Sequence, residues 1–205
     1  MDSSSNDLGL LLISHYLQER GFNETARILE RESRIIFNLD YFASQIREGM
    51  FDIADEYLSA FTKPSDNWMS ARAIYLVKQL KLLEAVYDGC KTYAQSIVER
   101  EFTQFETIIP QITEEAIKLV EMTNPRSHPM LQNFHREHMR MRVAEEVKEI
   151  IRMNPVFSGK LEYPPFEVTL QRLFNMAETS IGPNARVINL FRNRYARAGR
   201  NNSGN

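Results

Sequence analysis

Three histidines, His128, His135 and His138, sit close together in the chain. Imidazoles three residues apart share a helical face, and that spacing can hold zinc. A zinc site needs further donors, and neither a thiolate nor a carboxylate partner is evident beside them. The three read as exposed, solvated imidazoles, and no metal is assigned. Cys90, between Gly89 and Lys91, lies near a helix start. A neighbouring cation favours a thiolate, but no base accompanies it, so it reads as an inert thiol. No Gly-rich phosphate loop, nucleophile elbow, Ser/His/Asp order or carboxylate pair stands out. The residue types therefore point to recognition rather than catalysis, and we expect neither an enzyme nor a cofactor. Met130, Met139, Met141 and Met153 read as gap-filling side chains.

A constellation suited to recognition lies in residues 67–87. Trp68, Arg72, Tyr75 and Gln79 follow one another at spacings of four, three and four, which is one stripe of a helix. Ala71, Ile74, Val77, Leu82 and Val86 make much of the remaining circumference apolar. Such a helix, buried on most sides but carrying a cation and two aromatic rings on one stripe, can line a cleft. A helix whose long side chains snorkel at a surface has the same pattern. Lys78 and Lys81 fall on neighbouring faces.

These residues have to be held by helices. Gly and Pro number eight each in 205 residues, few for a turn-rich β protein, and no stretch sustains β alternation. Asp7 can cap a first helix reaching about Arg20, with Gly21 in the turn and Asn23 capping the next. A helix over 38–48 stops at Gly49. Further helices are expected over 52–61, from Asp66 or Asn67 to Tyr87, and over 90–101. Beyond these come a helix capped by Thr113 and running to Met122, one over 133–153 closed by Asn154-Pro155, one beginning near Phe166, and a short one over 186–195. The class is all-α: a compact helical domain of about nine helices. No Gly/Ser-rich or Pro-rich linker divides it before residue 201.

Composition limits the partners. The net charge of −2 gives no global electrostatic case for nucleic acid or an anionic membrane. Arg186, Arg192, Arg194, Arg197 and Arg200 follow Glu178 with no acidic residue among them, and residues 192–205 read as a solvated, basic, disordered tail. One cysteine excludes an internal disulfide and suits a reducing compartment. The opening Met1-Asp2-Ser3-Ser4-Ser5 is not a cationic leader, and no apolar run approaches the roughly 20 residues that span a bilayer. An intracellular, soluble protein is expected.

The run from Leu12 to Ser33 reads as two short amphipathic helices hinged at Gly21-Phe22. Leu8, Leu11, Leu12 and Tyr16 recur at helical spacing, with Ile28 and Leu29 on the second helix. So small a hairpin has to lean on more chain or on a second copy, and a self-complementary patch favours a twofold pair.

This hairpin resembles a LisH motif. It continues through Ile35-Ile36-Phe37-Asn38-Leu39-Asp40-Tyr41-Phe42, Gly49, Asp52 and Tyr57-Leu58-Ser59-Ala60-Phe61-Thr62-Lys63 into what looks like a CTLH motif, which Leu82-Leu83-Glu84 completes. Asn154-Pro155-Val156-Phe157, Lys160-Leu161 and Pro164 resemble the later part of a CRA domain. In this order and wording, residues 8–191 are similar to the amino-terminal region of the TOPLESS plant transcriptional co-repressors. The pair of β-propellers that follows in full-length members has no counterpart in these 205 residues.

The resemblance implies a LisH dimerisation motif over 7–39, a CTLH motif over 40–100 and CRA-like helices over 101–191. It implies a nuclear co-repressor module, a homo-oligomer that forms a tetramer as a dimer of dimers through Leu8, Leu11, Leu12 and Tyr16. Each protomer would have a groove for the LxLxL (EAR-motif) peptides of transcriptional repressors and adaptors. Carried over by position, the groove comprises Trp68, Arg72, Tyr75 and Gln79, with apolar pockets from Phe105, Ile112, Leu131 and Ile150. Trp68 and Gln79 stand where the family has basic groups, which weakens attraction for acidic residues beside the leucines, with Lys78 and Lys81 as partial compensation. The same motif order occurs in scaffold subunits of CTLH-type ubiquitin ligases. A short paralogue modulating full-length co-repressors is the other alternative. Leu8-Gly9-Leu10-Leu11-Leu12 also matches the leucine repeat, and is read first as the apolar face of its helix.

Overall fold

The computed structural model describes residues 3–181. They contain α-helices and no strand: α1 (Ser3–Glu19), α2 (Asn23–Ser33), α3 (Leu39–Glu48), α4 (Phe51–Ser59), α5 (Trp68–Tyr87), α6 (Lys91–Ile97), α7 (Pro110–Glu121), α8 (Arg136–Met153) and α9 (Phe166–Ile181). The expected helix over 186–195 and the basic tail lie outside the described residues.

Local chemistry accounts for most of the boundaries. Asn38 caps α3 by accepting from the Tyr41 amide at 2.8 Å, and Asn67 caps α5 by accepting from the Ser70 amide at 2.9 Å. Gly49 closes α3 with φ of +79°, and its amide reaches back to the last carbonyls of the helix. Three expected caps are corrected. Asn23 is the first residue of α2, and the capping position falls to Phe22. Asp7 lies inside α1, which begins at Ser3. Thr113 lies inside α7, which begins at Pro110, where the missing amide costs nothing. The Thr113 hydroxyl instead donates to the Phe102 carbonyl at 3.2 Å, tying α7 to the segment before it. Helix α8 begins at Arg136, so His135 stands before its first turn and does not share a helical face with His138.

The described residues divide into two compact units, residues 37–161 and residues 3–36 with 162–181. Residues 98–102 form a π turn that leads α6 onward without a break near residue 100.

In the unit of residues 37–161, α5 is the central helix, and α4, α6, α7 and α8 pack around it while α3 lies on α4 and α8. Fourteen of its twenty residues are buried, which is why its sequence is apolar nearly all round. An aromatic cluster of Phe37, Phe42, Tyr57, Phe61 and Phe157 fills one end of the core. The start of α5 is joined to the end of α8 by a buried amide–hydroxyl network: Asn67 donates to Asn154, Asn154 donates to Ser70 (each 2.9 Å), and Thr62 donates to Ser70 at 2.6 Å.

In the other unit, α1 packs against α2 and α9. Its polar centre is Glu30, fully buried on α2. The Glu30 carboxylate accepts from Arg27 at 2.6 Å, from the Tyr163 hydroxyl at 2.6 Å and from Gln18 at 3.2 Å. A buried charge persists only when it is paired and hydrogen-bonded in this way.

Candidate functional site

Six residues of α5 escape burial, and four of them are Trp68, Arg72, Tyr75 and Gln79. The stripe read from spacing is therefore the helix's open face, and the tertiary structure divides it. Its second half lines a cleft of about 420 Å³ together with α7, the π turn and the loop before α8. Leu82, Leu83, Phe102, Ile112, Ala116, Leu119 and Met122 form the apolar walls, and Gln79, Glu115, Lys118 and His128 supply polar groups. Its first half lies outside the cleft: Trp68 is 62% exposed, and Arg72 is paired with Glu146 of α8 at 2.5 Å.

Tyr75 is the hinge between these halves. Its ring stands edge-on to Phe102 and Phe105, with centroids 6.3 and 5.9 Å away. Its hydroxyl accepts from the Gln79 side-chain amide at 2.5 Å. Burial raises the phenol above its ordinary value, the Glu115 charge adds to this, and Arg72 opposes it. The hydroxyl therefore stays protonated and keeps a proton to donate.

Ile112 reaches the cleft wall as its position implied, but three other expected pocket residues do not. Phe105 is fully buried behind Tyr75, and Leu131 and Ile150 are core residues. Each is a large apolar side chain whose type is the same in a core and in a cleft wall. The cleft residues missed from the sequence have two origins. Glu115, Ala116 and Leu119 follow Ile112 at helical spacing on α7, with Met122 just past its end, a signal that could have found them. His128 and Met130 belong to a loop, and only the fold brings them there.

Lys78 and Lys81 are also corrected. Both are buried, and they face a carboxylate cluster rather than the cleft. Lys78 donates to Asp55 at 2.6 Å and to Glu101 at 3.2 Å, and Lys81 to Asp52 and Glu101, each at 2.5 Å. Burial alone would pull the Lys81 ammonium down, but its bonds to Asp52 and Glu101 hold it above the ordinary lysine value. Neither lysine can supply charge to a ligand in the cleft.

On α1, Leu8, Leu11 and Leu12 are half-buried, while Tyr16 is exposed with the Arg20 guanidinium 5.4 Å above its ring. Ile13, Phe22 and Ile28 are also exposed on this hairpin. Among the described residues, no three of His, Cys, Asp and Glu gather as a metal site. No described helix is long and apolar enough to cross a membrane.

Residues 38–161 match the family model of the TPR1-like, CTLH-containing domain, and residues 10–33 match that of LisH. The chain is 32% identical over 179 residues to TOPLESS-RELATED PROTEIN 2 of Oryza sativa subsp. japonica, covering 86% of this chain and 16% of that protein. It is 32% identical over 165 residues to Protein TOPLESS of Arabidopsis thaliana, covering 80% and 14%. Topless-related protein 1 of Arabidopsis thaliana is 31% identical over 179 residues. The chain thus spans about a sixth of the length of these relatives.

Proposed function

Since the chain belongs to the TPR1-like, CTLH-containing family, with a LisH hairpin ahead of that domain, we propose that it is the oligomerising, peptide-binding region of a nuclear transcriptional co-repressor. Its ligands are the LxLxL (EAR-motif) segments of repressors and adaptors. The observation that carries this reading is the apolar cleft against Tyr75.

An extended peptide turns every second side chain to the same side, so the leucines of LxLxL project together, about 6.6 Å apart. A cleft with seven aliphatic and aromatic wall residues and only a few polar groups suits such a row. Each buried leucine contributes roughly 1.5–3 kcal/mol. Two or three, less the cost of ordering the peptide, give about micromolar affinity. In this reading Tyr75, Gln79 and Ile112 contact the ligand, while Phe105, Leu131 and Ile150 hold the walls from behind. Trp68 and Arg72 extend the site along the same helical stripe.

The exposed Ile13, Tyr16, Phe22 and Ile28 support the assembly half of the proposal. They leave apolar area on a small hairpin for a second copy to cover, beside Leu8, Leu11 and Leu12. A tetramer would present four clefts and raise the effective affinity for clustered repressors.

The test is fluorescence anisotropy with a labelled LxLxL peptide and its alanine-substituted control. Micromolar binding is expected, weakened at least tenfold by Tyr75→Ala and absent with the control. A chain that remains folded yet fails to bind the leucine peptide at hundreds of micromolar overturns the reading.

A further inference from the structure

Among the described residues, Met50, Met130, Met141 and Met153 are the exposed methionines. Of these, only Met130 lines the cleft. Its side chain is accessible, at 37% exposure, and its Sδ lies 3.9 Å from Gln79 Nε2. That same amide donates to the Tyr75 hydroxyl at 2.5 Å. The amide has two N–H donors, and the thioether, a weak acceptor, is the lesser of its two partners in the reduced state.

We propose that Met130 is a redox-modification site whose oxidation to the sulfoxide tightens its hydrogen bond from Gln79 and lowers the cleft's affinity for aliphatic side chains. The oxidant is a hydroperoxide. The Sδ lone pair attacks one peroxide oxygen, the O–O bond breaks and an S–O bond forms. With hydrogen peroxide, water leaves. The sulfur is oxidised by two electrons and the peroxide is reduced by two. The product carries a strong acceptor oxygen on the side chain that already accepts from Gln79, so the second N–H of that amide is drawn to the sulfoxide. It also places a polar group on an apolar wall, where an incoming leucine cannot satisfy it. A thiol-dependent sulfoxide reductase would reverse the change.

The affinity part of this inference rests on the peptide-binding reading above. Its experiment separates the two. The full chain is treated with limiting hydrogen peroxide, oxygen uptake at each methionine is mapped by mass spectrometry, and LxLxL binding is measured by anisotropy. The side-chain amide resonance of Gln79 is followed by NMR without peptide. Met130→Leu conserves side-chain volume, and Met141→Leu serves as the comparison.

Oxygen uptake at Met130, a shifted Gln79 resonance and about tenfold weaker binding are expected for the unsubstituted chain and for Met141→Leu. Met130→Leu should keep its affinity after peroxide, and reductase treatment of the oxidised chain should restore binding. Equal loss of binding in Met130→Leu overturns the inference. So does a sulfoxide at Met130 that leaves the Gln79 resonance unmoved, or a Met130 that stays unmodified while Met141 and Met153 take up oxygen. If the untreated chain binds no leucine peptide, the peptide reading and the affinity claim fall together. The Gln79 resonance still decides whether oxygen on Met130 reaches the hydrogen bond.

Discussion

Arg72 of α5 is joined to Glu146 of α8, its guanidinium 2.5 Å from the carboxylate. The cation that spacing along α5 marked for a ligand is therefore engaged within the protein. Both side chains keep substantial exposure, 43% and 37%. The pair is thus weak enough to open, and its contribution to stability is about 1 kcal/mol or less. A ligand carboxylate that draws on Arg72 must compete with Glu146.

Glu146→Gln should consequently leave the midpoint of urea unfolding nearly unchanged. It should strengthen binding of an LxLxL peptide with flanking acidic residues by roughly fivefold or less at low salt. The gain should fade as added salt screens the charges. Anisotropy titrations at two ionic strengths read this, and a gain insensitive to salt contradicts the electrostatic account.

Gly49 has a double constraint. Its φ is +79°, and a methyl group there would run into the guanidinium of Arg140. Arg140 cannot easily withdraw, because it is bound to Glu84 through Nε at 2.7 Å and through a terminal nitrogen at 2.6 Å. Gly49→Ala should cost about 1–3 kcal/mol, visible as a lower urea midpoint. The double variant Gly49→Ala, Arg140→Ala should recover less than all of it, since the backbone conformation stays unfavourable. Full stability in the single variant would refute the argument.

The Tyr163 hydroxyl lies 2.7 Å from Gln18 Nε2, 2.8 Å from Ser14 Oγ and 2.6 Å from the buried Glu30. Burial raises its titration above the ordinary phenol value, and the bond to Glu30 adds to this. Tyr163→Phe keeps the ring and removes one donor from the buried carboxylate, a loss of about 1–3 kcal/mol. Hydrogen exchange should quicken in α1 and α2. Unchanged protection across both helices would count against Tyr163 as their polar anchor.

A pH effect is expected at Asp40. The hydrogen bond from Lys148, 3.0 Å long, holds this carboxyl below its ordinary value, and the charge of Lys148 adds to the effect. The folded state then binds the proton less readily than the unfolded state. The contribution is complete above the unfolded value of about 3.9 and is lost as pH falls through the lower folded one. Lys148→Met should lower the urea midpoint near neutrality, and the difference from the parent should shrink below about pH 4. A difference constant across that range would disprove the assignment. The effect is small, because Asp40 is exposed.

How far the sequence could be read follows the range of each interaction. The existence of the helices of unit 37–161, the cap at Asn67 and the stop at Gly49 depend on residues within a turn of each other, and these were legible. So was the open stripe of α5, because apolar residues cover the rest of that helix. The reading failed where a residue's partner is remote. Thr113 looked like a cap until Phe102, eleven positions back, claimed its hydroxyl. Lys78 and Lys81 looked available until Asp52, Asp55 and Glu101 were folded against them.

By itself the sequence determined an all-α chain and the stripe of α5 that stays open, because periodicity and capping are properties of neighbouring residues, and its wording carried the LisH and CTLH resemblance that the family models match. Only the tertiary structure decided that Tyr75 and Gln79 line the cleft while Arg72 turns to Glu146. It alone placed Phe105, Leu131 and Ile150 in the core, and brought Met130 to the cleft. An apolar or charged side chain has the same identity in either place, and what it meets is set by chain brought from 50 or more residues away, as Met130 is to Gln79 and Glu146 is to Arg72.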